Sequence, residues 1–233
     1  MTVFIDPEFP PISSSLFSVD PLAEIKGESA TPTDSGTLPA IEWRRPRDFL
    51  APDKPLEIFE GGIEPADIAQ GQLGDCWLMC SLASLAEFDN PIGSPIRDII
   101  TESDHELGIY KVKLCKAGVW KEYILDSFFP CFPGGEPIYS KAHGHELWVM
   151  LLEKAFAKAN GSYTAIRSGW AYEALVDCTG APYKDFRLGD WPVQKVDELW
   201  KKIRKYDQSD YCMTLSTPGV DHSTESGSFS TIV

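Results

Sequence analysis

The clearest hydrophobic pattern in the chain follows Cys76, where Leu78, Leu82 and Leu85 recur at helical spacing. Residues three or four apart share one face of an α-helix, so this spacing predicts a buried helix that begins at the cysteine. Asp75 immediately precedes the first turn, and an acidic side chain at that position is expected to accept hydrogen bonds from backbone N–H groups. The pattern therefore predicts Cys76 in a first helical turn that Asp75 caps.

Other parts of the chain carry equally regular patterns. Between residues 108 and 126, apolar and polar side chains alternate on both sides of a turn at Gly118, which predicts a β-hairpin. Residues 145–159 return to helical spacing, and the Asn-Gly pair that follows predicts the end of that helix. A third helix is predicted around residues 196–203, and residues 210–217 (DYCMTLST) are predicted to form a strand.

The composition and periodicity of the sequence change near residue 40. Residues 1–40 contain many of the prolines and serines and show little periodicity, which predicts an extended arm. Within this arm, residues 4–11 (FIDPEFPP) are expected to lie over the folded domain. With 233 residues and 43% apolar content, the whole chain is long enough for one large domain or two small ones with a substantial core.

Acidic residues dominate the charge balance. The 21 Lys and Arg residues against 35 Asp and Glu residues give a formal net charge of −14. This charge repels phosphate backbones and anionic membrane surfaces, so the composition argues against a nucleic-acid partner. It is compatible with a bound cation such as calcium.

Several sequence features bear on the compartment. The first thirty residues carry acids and prolines instead of a basic segment before an apolar run, so no signal peptide is expected. No stretch reaches the roughly 18 consecutive apolar residues of a transmembrane helix. A chain of this size needs no disulfides, and its six scattered cysteines are expected to be reduced. These features predict a cytoplasmic protein.

Two interpretations of Cys76 follow from its position. A thiol reacts as thiolate, and the N-terminal turn of a helix favours that ionised form. Gln70 lies six residues upstream, where its amide N–H together with the Cys76 backbone N–H would form an oxyanion hole. The alternative is a small buried core residue, since cysteine is among the most buried residue types. Cys80, one turn further along, is expected to be structural.

The stretch QGQLGDCW, residues 70–77, is similar to a signature of the calpains, the calcium-dependent cysteine endopeptidases. The resemblance continues through FIDPEFPP, IEWRRP, GIYKVKL, GVWKEYILD, ELWVMLLEKAFAKANGSYTAI and ALVDCTG. It implies an α/β (α+β) papain-like protease core with a mainly helical first lobe, a small β-hairpin and a β-rich second lobe. After the N-terminal arm predicted above at 1–40, it divides the chain into the first lobe (41–187) and an incomplete start of the second lobe (188–233).

The resemblance also implies roles for individual residues. It identifies Cys76 with the nucleophile, Gln70 with the oxyanion-hole glutamine, and Gly169 with a cleft glycine that contacts the substrate backbone. Intracellular proteins, cut at limited sites, are the implied substrates. Whether a regulatory subunit binds is left open by the sequence.

A calcium site in the first lobe is a further implication of the resemblance. Without the resemblance, its two carboxylates would be interpreted as ordinary surface acids. Zinc binding at His143 and His145 is disfavoured because the spacing lacks a paired C-x₂-C, and both histidines are expected on a solvated loop. The calcium ligands that the resemblance implies are two backbone carbonyls and two carboxylates, those of Glu60, Gly62, Asp67 and Glu146.

Papain-like catalysis also requires a histidine base and an asparagine that orients it. In calpains these residues stand in G-H-A-Y and N-P-W-G type segments, and neither string occurs in this sequence. His222 lies in a stretch that resembles the region just upstream of the catalytic histidine. The 233 residues alone are therefore expected to lack peptidase activity, and the alternative function is a non-catalytic calpain-like module that binds calcium or a partner.

Overall fold

A computed structural model describes residues 2–17, 40–52, 54–90, 93–186 and 192–216. Its helices are α1 (Ser13–Leu16), α2 (Pro46–Phe49), α3 (Cys76–Ala86), α4 (Pro95–Ile99), α5 (Trp148–Asn160), α6 (Ala171–Thr179) and α7 (Val196–Asp207). Its strands are β1 (Glu42–Arg44), β2 (Ile100–Asp104), β3 (Ile109–Lys116), β4 (Val119–Asp126) and β5 (Phe129–Cys131). This mixture of helices and small antiparallel sheets agrees with the α/β class. None of the helices in the described ranges is long and apolar enough to cross a membrane.

The larger sheet has three antiparallel strands in the order β2-β3-β4. Its β3–β4 register pairs Tyr110 with Leu125, and both side chains are buried. Gly118 adopts a positive φ of 78° in the turn between these strands, which favours glycine there. The predicted hairpin is confirmed. The strand β2 was not predicted, because its sequence ITESD has no apolar alternation and is mostly exposed. The smaller sheet pairs β1 with β5.

Helix α5 runs through the middle of the core, and its residues from Trp148 to Ala157 are all buried. It begins three residues later than the spacing predicted. The cause is backbone pairing, because Glu57 donates to the His145 carbonyl at 3.2 Å and accepts from the Leu147 N–H at 3.1 Å. Its end is confirmed at Gly161, which adopts a φ of 99° as the C-cap.

The described N-terminal segment, residues 2–17, packs onto the folded domain. Phe9 and Leu16 are buried in the main core. The Phe4 N–H donates to the Leu107 carbonyl, and the Asp6 N–H donates to a carboxylate oxygen of Asp126, each at 2.9 Å. The expected contact of FIDPEFPP with the domain is confirmed. The short helix α1 was not predicted, and the boundary of the arm near residue 40 stays a prediction.

The C-terminal part of the described chain differs from expectation in one element. Helix α7 is confirmed, but residues 211–216 form no strand, so that prediction was wrong. These residues lie along α3 instead of joining a sheet edge, since the Ser84 hydroxyl donates to the Met213 carbonyl at 3.2 Å. The proposed lobe boundary at 187–188 falls outside the described residues.

Candidate active site and metal centre

Cys76 is the first residue of α3, and its side chain is exposed. The other five cysteines are covered to a greater degree: Cys115, Cys131 and Cys178 are buried, and Cys80 and Cys212 are half-buried. Burial raises the pKa of the Cys131 and Cys212 thiols to about 11, which keeps them protonated and unreactive. An exposed thiol at a helix start does not fit the alternative of a small core residue.

Asp75 occupies the N-cap position of α3, but its side chain makes no capping hydrogen bond, so the predicted cap was wrong. The side chain is fully buried and turns into the protein. Inside, it meets the Glu153 carboxyl of α5, and its Oδ1 lies 3.4 Å from the amide nitrogen of Gln70. A capping carboxyl would accept from the N–H groups of the first helical turn, and this side chain contacts Glu153 and Gln70 instead.

Gln70 is held by its own chain and by a neighbouring segment. Its amide nitrogen donates to the Leu73 carbonyl at 3.0 Å. Residues 69–72 run antiparallel to residues 138–141, with backbone hydrogen bonds of 2.9 Å at both ends. Gly71 is required between them, because a Cβ there would lie 1.9 Å from the Tyr139 carbonyl oxygen. The Q-G pair of the signature thus combines a side-chain amide held in place with a close backbone approach.

Gly169 lies against the residue that follows the cysteine. A Cβ at Gly169 would come within 2.5 Å of the Trp77 ring. The Trp77 indole N–H donates to the Ile166 carbonyl at 2.8 Å, which fixes the ring on this segment. The structure therefore places Gly169 against the Trp77 ring, which belongs to the first turn of α3.

A second cluster of candidate residues lies at the start of the segment that leads to Gln70. Asp67 and Glu146 are buried, and His143 Nδ1 lies 3.1 Å from Asp67 Oδ1 and 3.7 Å from Glu146 Oε1. One ligand atom from each of the three residues lies within 4.8 Å of the others. They share a cleft whose other lining residues are Lys54, Glu60, Gly62, Glu64 and Gly144.

The electrostatics of this cluster fit a cation. Burial, assisted by the charge of Asp67 and opposed by the bond from the Glu60 N–H, raises the pKa of Glu146 to about 7. The Glu60 carboxylate pairs with Lys54 at 2.9 Å, so its charge already has a counter-ion. Two buried carboxylates that repel one another are stabilised by a divalent ion between them.

The histidines are only partly as expected. His143 is exposed on its loop as predicted, but its contact with Asp67 was missed; the i,i+3 spacing to Glu146 was the available signal. His145 is buried, and its solvated placement was wrong, because its N–H donates to Glu60 Oε2 and its carbonyl accepts from Glu57. His105 contacts the Tyr110 hydroxyl at 3.1 Å. His222 lies outside the described residues.

Comparison with known proteins shows the family of this chain. The profile of the calpain family cysteine proteases matches residues 4–231. Calpain-type cysteine protease DEK1 of Zea mays is 35% identical, and ADL1 of Oryza sativa subsp. japonica is 34% identical, each over 96% of this chain. The human calpain-1 catalytic subunit is 34% identical over 88% of the chain. The chain belongs to the calpain family of cysteine proteases.

These relatives are much longer than the chain. The aligned region is 10% of each of the two plant proteins and 27% of the human subunit. The substrates of the complete relatives are therefore properties of those proteins, and the substrates of this chain are treated below as a proposal.

Proposed function

We propose that the chain carries the nucleophile-bearing part of a calcium-dependent cysteine endopeptidase. The observation that carries the proposal is the exposed Cys76 thiol at the start of α3, with Gln70 and Gly169 on the segments beside that turn. In the proposed site Cys76 is the nucleophile, Gln70 supplies an oxyanion donor and Gly169 binds substrate backbone. The substrates would be intracellular proteins in the cytoplasm.

The proposed reaction begins when the Cys76 thiolate attacks the scissile carbonyl carbon. A sulfur–carbon bond forms, and the carbonyl π electrons move to oxygen, where the Cys76 backbone N–H and the Gln70 amide would stabilise the negative charge. One Gln70 N–H is held by the Leu73 carbonyl at 3.0 Å. The other lies 3.4 Å from Asp75 Oδ1, a weak contact, and would be shared between that oxygen and an oxyanion. The proton for the departing amine would come from a histidine of the second lobe.

Calcium would be held in the cleft by the carbonyls of Glu60 and Gly62 and the carboxylates of Asp67 and Glu146. Oxygen ligands of mixed charge suit Ca²⁺, whose binding would stabilise the loop that leads into Gln70. His143 would lie at the edge of this site.

A second candidate function is a non-catalytic module that binds calcium or a protein partner. The acidic cluster of Asp67 and Glu146 supports it independently of Cys76, because a cation site needs no nucleophile. The two functions differ in whether a Cys76-dependent peptidase activity exists.

Cys76 is expected to be the most reactive of the six thiols. Limiting iodoacetamide followed by peptide mapping should label the Cys76 peptide first, since burial raises the thiol pKa of Cys131, Cys178 and Cys212. The Cys76→Ser variant is the control and should lose the fast-labelled peptide without gaining another. Preferential labelling of any other cysteine would contradict the nucleophile assignment.

Calcium is expected to raise the stability of the folded chain. At a calcium concentration about one hundred times Kd, the linkage gives about 2.7 kcal/mol, seen as an upward shift of the melting temperature. A double variant, Asp67→Asn with Glu146→Gln, keeps the oxygen acceptors for the neighbouring N–H groups but removes both charges, and it should lose the shift. A matched pair on the exposed surface, Glu102→Gln with Glu106→Gln, should retain it. An unchanged shift in the first pair would refute the site.

A further inference from the structure

Two buried carboxyl groups meet behind the cysteine. Asp75 and Glu153 are 0% and 3% exposed, and each carboxyl is close enough to the other to shift its pKa. Glu153 also accepts from the Ser140 backbone N–H at 3.0 and 3.2 Å and from the Ser140 hydroxyl at 2.7 Å. The pair therefore links the start of α3, the middle of α5 and the segment 138–141 that supports Gln70.

The donors around this pair do not suffice for two ionised acids. Among the described residues, Asp75 Oδ2 is buried and meets no donor. An ionised carboxylate can only accept, so two of them cannot form a hydrogen bond. Ser140 already supplies the donors to Glu153, and Gln70 faces the other oxygen of Asp75. A proton on Glu153 that is directed at Asp75 Oδ2 would complete the set.

The electrostatics agree with one retained proton. Burial raises the pKa of Asp75 to about 7, against the lowering effect of its hydrogen bond with Glu153. Burial, and then the charge of Asp75, raises the pKa of Glu153 well above its ordinary value. Among the described residues, the charge of Glu153 also acts on Tyr139 and Tyr163, whose pKa values burial raises, and Arg167 acts on Tyr139 in the lowering direction.

We propose that Asp75 and Glu153 share one proton and together position the Gln70 amide for the oxyanion. Asp75 acts on Gln70 by direct contact, and Glu153 acts through Ser140 on the segment paired with residues 69–72. Both are positioning residues, and neither touches the substrate. This inference rests on the proposed peptidase function.

Amide replacements test the shared proton because each one substitutes an N–H for it. In Glu153→Gln, the new amide N–H donates to Asp75. The amide oxygen takes the place of Oε2, which accepts from the Ser140 N–H at 3.2 Å and from its hydroxyl at 2.7 Å, and only the 3.0 Å bond to Oε1 is lost. In Asp75→Asn, the new N–H donates to an ionised Glu153 while the oxygen still faces Gln70. The double variant has two side-chain NH₂ groups, and only one of them can donate across the pair. The other must face either the Ser140 N–H or the Gln70 amide, which are themselves donors. Each single variant is therefore tolerated and the double variant displaces Gln70.

The readout is the affinity of the chain for a dipeptide aldehyde, measured by protection of Cys76 from iodoacetamide. The thiol adds across the aldehyde, with a new S–C bond and the thiol proton transferred to the oxygen, so binding senses the oxyanion donors. Alkylation by iodoacetamide occurs at a CH₂ carbon and does not use them. Gln70→Ala is the reference for complete loss of the amide, expected to weaken aldehyde binding by about 10²–10³-fold.

Each single variant is expected to keep aldehyde affinity within about twofold of wild type. The double variant should bind the aldehyde about tenfold or more weakly, with its iodoacetamide rate unchanged. Single effects that simply add in the double variant, or a double variant that binds as wild type does, would overturn the shared proton. If wild-type chain fails to bind the aldehyde, or Gln70→Ala binds it equally well, the proposed function is at fault. In that case the melting temperatures of wild type, the two single variants and the double variant still test the shared proton. A shared proton predicts that the shifts of the single variants do not add up to the shift of the double variant.

Discussion

Replacement of Lys154 by methionine is expected to lower the free energy of unfolding by about 3–5 kcal/mol, because it leaves a buried carboxylate without its counter-charge. Lys154 is fully buried in α5 and forms an ion pair with Asp126, which is also fully buried. The ammonium group also donates to the backbone carbonyls of Asp126 at 3.1 Å and Phe128 at 2.6 Å. Methionine fills a similar volume, so the measured loss of stability reports the missing charge and its hydrogen bonds and not a cavity.

Denaturant unfolding curves measure this loss, and two further variants define its cause. Lys121→Met, at an exposed position of β4, should change stability by no more than about 0.5 kcal/mol. Adding Asp126→Asn to the Lys154→Met chain should recover part of the loss, since a neutral amide needs no counter-ion. The recovery is only partial because the Asp6 and Phe128 N–H groups donate to different oxygens of Asp126, and the single amide oxygen accepts from one of them. A loss below about 1 kcal/mol for Lys154→Met, or a further loss on adding Asp126→Asn, would contradict this account.

The elements that the sequence predicts correctly are those whose evidence is local. The helix that begins at Cys76 and the hairpin around Gly118 each bury one face, and this burial imposes a regular apolar spacing on the sequence. The strand β2 has little apolar surface and exists because β3 offers it a free edge. The strand predicted at 210–217 has the reverse problem, because in its described part the Met213 carbonyl accepts from Ser84 of α3 and no strand forms. In both cases the outcome depends on whether a neighbouring strand is available for pairing, and the order of apolar residues along the chain does not contain that information.

The same distinction applies to the site. The signature places Cys76 at a helix start, and its exposure agrees with that placement. The contact between His143 and Asp67 joins residues 76 positions apart, and no spacing rule links them. Likewise, the Asp75 side chain is buried in contact with Glu153, which lies on a different helix, and no local spacing rule links these two residues. Local rules therefore predicted a cap where the tertiary structure makes an acid pair.

Peptide hydrolysis by residues 1–233 alone is expected to be about 10²–10⁴ times slower than by a chain that continues into calpain-type histidine and asparagine segments, even at saturating calcium. Without a positioned imidazole the thiol proton must leave to solvent, and the departing amine finds no acid. The structure places His105 against Tyr110 and His143 against Asp67. His222 would have to be ordered within hydrogen-bond reach of Cys76, at a cost in chain entropy.

A fluorogenic peptide assay compares the two chains, with Cys76→Ala as the control in each. In the longer chain Cys76→Ala should abolish the calcium-dependent rate, which would select the peptidase over the non-catalytic module. Equal rates in the two chains, both abolished by Cys76→Ala, would contradict the requirement for a second-lobe base. If His222→Ala then removed the activity of residues 1–233, His222 would be the base, since its loss would leave the Cys76 thiol without a proton acceptor.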